Sequence, residues 1–181
     1  MTIATDGRAI LGLWTEGQKN FGSGILDDAA ELSELALLKE TKRWIYDYFA
    51  GKRPSPDAIP IRPDGNAFKQ AVWTALREIP YGEVATYNKI ADRVATLLGK
   101  DKMAAPAVKA AIENNPISIL IPSHRAVGTG TSIAGGAKAD KTQAMLLRLE
   151  GVKKTFLAPK KNESETERIL TMYGTKLDFS I

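Results

Sequence analysis

From Phe68 onward the apolar positions set a helical rhythm. Phe68, Val72, Leu76 and Ile79 fall four, four and three apart on one face, with Lys69 and Arg77 off it. Pro80-Tyr81-Gly82 breaks that helix. Thr86 can cap a second helix running from Tyr87 or Asn88 to Leu98, with Ile90, Val94 and Leu97 apolar and Gly99 as its stop. A third, alanine-rich helix fits Ala104 to Asn114, where Pro106 is tolerated only in the first turn. The last two are compatible with a helix-turn-helix whose second helix is 104–114. The apolar run 117–121 reads as a strand, and Thr142 to Leu149 as a helix closed by Glu150-Gly151.

Upstream, Arg8 to Trp14 reads as a strand, followed by a loop punctuated by Gly17, Gly22 and Gly24. A helical pattern starts at Asp27 or Asp28. Leu32, Leu35, Trp44, Ile45, Tyr48 and Phe49 form its apolar side across two helices, before a stop at Gly51. Pro54, Pro56, Pro60 and Pro63 disfavour both helix and central strand, which makes 54–66 a linker between domains 1–53 and 67–155. Beyond Lys153 the chain turns polar, and 156–181 is expected to be a mobile tail.

Composition changes this picture in two ways. Cysteine is absent and histidine occurs once, which excludes disulfides, a thiolate nucleophile and a cysteine zinc site, and argues against any conventional metal centre. Net charge is +4, and the excess is uneven: residues 101–160 carry nine Lys and Arg against four acids. A local excess of that kind suits a polyanion or a solvated face. No run approaches the ~20 apolar residues of a membrane helix, and no signal peptide opens the chain, so a cytoplasmic location without membrane contact is expected.

The chemistry converges on Asn114-Asn115-Pro116, the apolar run 117–121, and Pro122-Ser123-His124-Arg125. A strand that delivers polar groups into a turn is a rigid base for reactive residues. The same residues also suit a plain turn with Ser123 bonded to its own backbone. A serine hydrolase is not supported, because no Gly-x-Ser-x-Gly elbow exists.

Asn115-Pro116 followed by Pro122-Ser123-His124-Arg125 and Gly128 resembles the acceptor motif of the O6-alkylguanine-DNA alkyltransferases, in which the Ser123 position is normally cysteine. Phe68 to Trp73, Ile79 to Val84, Thr86-Tyr87, Ile90-Ala91 and Leu146 to Gly151 continue the likeness. Leu13-Trp14, Gly17 to Lys19 and Tyr48 to Lys52 extend it to the N-terminal part. The resemblance implies an α/β N-terminal ribonuclease-H-like domain and a mainly α winged-helix-like C-terminal domain. It implies a monomer that flips O6-alkylguanine out of duplex DNA, uses no cofactor and works alongside other repair factors. It implies Ser123 at the acceptor position, His124 as general base through a water, Glu150 orienting it, and Asn115 holding the turn. Tyr87 would meet the target phosphate and donate toward the leaving guanine. Thr86, Tyr87, Pro106, Ala107, Lys109 and Arg125 would face nucleic acid, although Arg125 also suits a buried pairing with backbone or an acid. Ile112, Pro122, Ala126, Gly135 and Gly136 would line the substrate pocket.

The departures are as informative. An alcohol is a far weaker acid and nucleophile than a thiol, and attack on an alkyl carbon lacks the oxyanion intermediate that helps acyl transfer, so no useful alkyl transfer is expected. Pro106 stands where relatives place an arginine, Lys109 and Ala110 replace two glycines, Asn88 replaces another, and the loop before Gly135-Gly136 is short and lacks a tyrosine. Two origins fit: a replacement made to silence the acceptor, or a natural non-transferring lesion binder. A decayed scaffold whose old pocket serves a protein partner or small ligand is the third reading.

Overall fold

The computed structural model describes residues 1–15, 17, 18, 21, 22, 25, 34–128 and 141–152. The chain opens with a hairpin, β1 (Thr2–Thr5) against β2 (Ile10–Trp14), antiparallel with a bulge at Ala4/Thr5. Asp6 shapes its turn by accepting from the backbone N–H groups of Arg8 and Ala9. The sequence reading found only the second of these strands, because β1 has little apolar weight. A helix, α1 (Ala36–Phe49), packs Leu38, Trp44, Ile45 and Tyr48 inward and ends before Gly51, whose φ is 74°. The expected start at Asp27 or Asp28, and Leu32 with it, lie outside the described residues.

The proline-rich segment does more than connect. Ile59 is buried, and Ile10 N–H donates to Pro60 O while Arg62 N–H donates to Ile10 O, making a parallel bridge between Ile10 and Ile61. The prolines occupy positions that need no ladder donor, so the flanking residues are free to pair.

Three helices follow with boundaries close to those read from the periodicity. α2 (Ala67–Arg77) is capped by the Asn66 side chain, which accepts from Lys69 N–H. After a two-residue strand β3 (Ala85–Thr86), α3 (Tyr87–Leu97) is capped by Thr86 in the same way and stops at Gly99. α4 (Ala105–Glu113) carries Pro106 in its first turn and packs against α2 and α3.

The run expected as a strand over 117–121 is corrected. Ile119 has φ 71°, Leu120 N–H donates to Ser118 O, and Ile121 N–H to Ile117 O, so the chain folds back on itself. Its apolar residues are all buried because the turn itself is buried. The edge of β2 fixes it: Leu13 N–H donates to Pro116 O and Ser118 N–H to Leu13 O. A 3₁₀ turn (Ser123–Arg125) then enters β4 (Ala126–Val127), which pairs parallel with β3, and α5 (Lys141–Leu149) closes the described chain. The buried residues of the N-terminal α/β layer and of the helical part form one continuous cluster, from Ile10 and Leu13 through Tyr48, Leu76, Val94 and Val108 to Ile121.

Candidate acceptor site and nucleic-acid interface

Asn115, just past the end of α4, is almost wholly buried and ties the turn leading to Ser123 together. Its Oδ1 accepts from Ile117 N–H, and its Nδ2 donates to Ile121 O at 2.8 Å and to Ser123 Oγ at 3.4 Å. Ser123 is half-buried at the start of the 3₁₀ turn. The α5 side chain Gln143 clamps the far side of that turn, donating to His124 O at 3.0 Å and to Ala126 O at 2.8 Å.

His124 and Glu150 are brought together as expected: Nε2 lies 2.7 Å from Oε1, with both side chains buried. Glu150 is the hub. Its Oε1 also accepts from Tyr48 O–H at 2.7 Å and Arg125 NH2 at 2.9 Å, and its Oε2 from Arg125 Nε at 2.8 Å and Gly82 N–H at 3.2 Å. Burial alone would raise the carboxyl's pKa; hydrogen bonds from His124 and Arg125, the charge of His124 and the Tyr48 hydroxyl outweigh it and hold it down at about 2. Burial pushes the His124 imidazole below its usual range. The Glu150 hydrogen bond and charge pull it up, and the Arg125 charge pushes it further down. A neutral imidazole here donates Nε2–H to Glu150 and keeps Nδ1 unprotonated.

Gly82 matters because of its position: with φ 79°, and with an added Cβ only 2.9 Å from Glu150 O, any side chain would push the carboxylate's backbone away.

Arg125 is a correction to the nucleic-acid assignment. Its guanidinium is buried, bonded to Glu150 through two nitrogens and to Ile79 O at 2.6 Å, with the Tyr81 ring 5.7 Å from its centre. Its hydrogen-bond donors go to Glu150 and Ile79 O, and its side chain is only 10% exposed. Ile112 is packed into the core cluster, 5% exposed. Ala126 is buried in β4 and Pro122 is buried beside Ser123, while Gly135 and Gly136 lie outside the described residues.

The outward face of α4 presents Pro106, Ala107, Lys109 and Ala110. Lys109 Nζ stands 6.0 Å from the centre of the half-buried Tyr87 ring and 3.8 Å from Glu113. Thr86 holds the start of α3, so Tyr87 projects from a capped helix N-terminus beside α4. Sequence reasoning missed Tyr48 and Gln143. Tyr48 sits on the apolar stripe of α1 and reads as core, and the Gln143 clamp has no local signal. Among the described residues no three His, Asp or Glu side chains gather as a metal site requires, and no helix is long and apolar enough to cross a membrane.

Acidification should loosen this cluster in two stages. The His124 imidazole has a depressed folded pKa, so stability begins to fall as pH drops below its unfolded value of 6.5. The Glu150 carboxyl, lowered from 4.5 to about 2, then loses its contribution between those limits, on the order of 3 kcal/mol. Urea unfolding midpoints measured from pH 8 to pH 3 check this; a flat profile would contradict it.

A helical part with a buried His–Glu–Arg cluster behind a half-buried hydroxyl, built onto a small α/β layer, is the architecture on which the family match falls. Residues 67–152 match the family model described as 6-O-methylguanine DNA methyltransferase, DNA binding domain. Methylated-DNA--protein-cysteine methyltransferase of Methanosarcina acetivorans is 41% identical over 115 residues, 64% of this chain and 70% of that protein. The Haemophilus influenzae protein of the same name is 38% identical over 119 residues, 66% of this chain and 64% of its own length. Among solved structures, Mycobacterium tuberculosis OGT in complex with DNA is similar with a TM-score of 0.64 and 30% identity over 86% of each chain. The chain belongs to the methylated-DNA–protein-cysteine methyltransferase family.

Proposed function

We propose that the chain binds duplex DNA through residues 86–114, flips O6-alkylguanine toward Ser123 and His124, and holds it without accepting the alkyl group. The observation that carries this reading is an acceptor network kept intact around an alcohol: Asn115 on Ser123 Oγ, and His124 on Glu150. A duplex hides O6, so chemistry or recognition there requires the base to leave the stack. His124, acting through a water, is the base that a thiol would need. It finds only an alcohol to deprotonate. Support for DNA as the partner comes from the family model and from the relative described in complex with DNA. The finer assignments go with this reading: a ribonuclease-H-like domain 1–53, a linker 54–66, a winged-helix-like domain 67–155 and a tail 156–181. A cytoplasmic monomer that hands the lesion to other repair factors completes it.

Fluorescence anisotropy with duplexes containing guanine or O6-methylguanine tests the proposal. Tighter binding to the methylated duplex is expected, weakening as salt rises. Lys109→Ala should lower affinity for both duplexes and reduce the salt slope by about one unit. Equal, negligible and salt-insensitive binding to both would leave only a decayed scaffold.

A further inference from the structure

We infer that Tyr48, in the N-terminal α/β layer, is a positioning residue of the acceptor site: its hydroxyl fixes Glu150 Oε1 so that His124 is kept as the tautomer with Nδ1 free. The inference rests on the proposed reading of His124 as the base.

One carboxylate oxygen, Oε1, receives three donors: Tyr48 O–H and His124 Nε2 at 2.7 Å each, and Arg125 NH2 at 2.9 Å. The Tyr48 oxygen also lies 3.5 Å from His124 Nε2, so it borders the His–Glu hydrogen bond itself. Its ring cannot wander. It stacks on Trp44 at 5.6 Å and meets Phe49 and Tyr81 edge-on at 5.4 and 6.2 Å. Trp44 is in turn anchored through Nε1 to Ser55 O. A residue needed only to fill this space would be better as phenylalanine, because a buried hydroxyl costs free energy unless it is bonded.

The groups facing His124 are Glu150 at the end of α5, Arg125 in its own turn and Tyr48 from α1, with Tyr81 behind Arg125. Each donor draws on the same negative charge. Removing Tyr48 O–H leaves more of that charge to the imidazole, which favours the protonated ring and raises its titration midpoint. Burial and Glu150 raise the Tyr48 pKa well above the usual range, so the hydroxyl stays a donor throughout.

His124 is the only histidine, so long-range proton–nitrogen spectra of the full chain read its tautomer and midpoint without assignment. Tyr48→Phe should move the midpoint to higher pH and mix the tautomers. Tyr81→Phe, which removes a hydroxyl bonded to Leu149 O, should move neither. In a Ser123→Cys background, Tyr48→Phe should shift the acid limb of the transfer rate to higher pH. On the unaltered chain, a slowly exchanging Tyr48 hydroxyl proton should show a cross-peak to His124 Nε2–H. An unmoved midpoint in Tyr48→Phe, equal shifts in both variants, or no such cross-peak would overturn the inference. These spectra need no DNA, so failure here is distinct from failure to bind the lesion.

Discussion

Ser123→Cys will take one methyl group per molecule from a duplex containing O6-methylguanine, where the unaltered chain takes none. The substitution changes one atom and leaves the surroundings in place: Asn115 Nδ2 beside the position, and His124 held neutral with Glu150 behind it. A thiol of ordinary pKa ~8.5 gives up its proton to such a base far more readily than an alcohol does, each unit of pKa mismatch costing about 1.4 kcal/mol. An alcohol is a far weaker acid and stays protonated. In the reaction the sulfur–carbon bond forms as the carbon–O6 bond breaks, and guanine leaves with a proton. Single-turnover transfer of labelled methyl measures it, and adding His124→Ala should slow the transfer 10²-fold or more. A well-folded Ser123→Cys chain that binds the methylated duplex and accepts no label would favour a naturally diverged, non-transferring chain.

Glu150→Ala will cost about 3–5 kcal/mol of stability, the largest loss expected from any single side chain of the site. The cost arises from what is left behind. Arg125 keeps Ile79 O as a partner but loses its counter-charge in a buried setting, and Tyr48, His124 and Gly82 each lose an acceptor. Urea unfolding with an unchanged slope gives the value directly. A loss below about 1 kcal/mol would mean that water enters and replaces the carboxylate, and the cluster would then be no hub.

The helices were legible because their ends carry chemistry that acts locally. Thr86 caps where the periodicity begins, and Gly51 and Gly99 adopt the positive φ that stops a helix; the Asn66 cap of α2 was not read from the sequence. The His124–Glu150 pair was legible only through family likeness, since nothing in a 26-residue separation signals contact. The run 117–121 misled because a continuous apolar stretch looks alike whether it is a buried strand or a buried turn. Ile119 is the residue that decides it, adopting a left-handed φ that a β-branched side chain rarely takes. Arg125 stands among the nucleic-acid residues in the site assignment, but the reading favoured for it from the sequence, a pairing with backbone or an acid, describes what it does. Tyr48 could not have been found, because an aromatic on the inner stripe of an amphipathic helix looks the same with or without a task for its oxygen.

The backbone bonds between Leu13 and residues 116–118 carry a practical lesson for anyone trimming this chain. A fragment beginning at Ala67 would match the family model from end to end, yet it would unzip Pro116 and Ser118 from their neighbour and strip the roof from Ile117. Such a piece should be sticky and poorly soluble, and assays done on it would report on exposed edges instead of the protein.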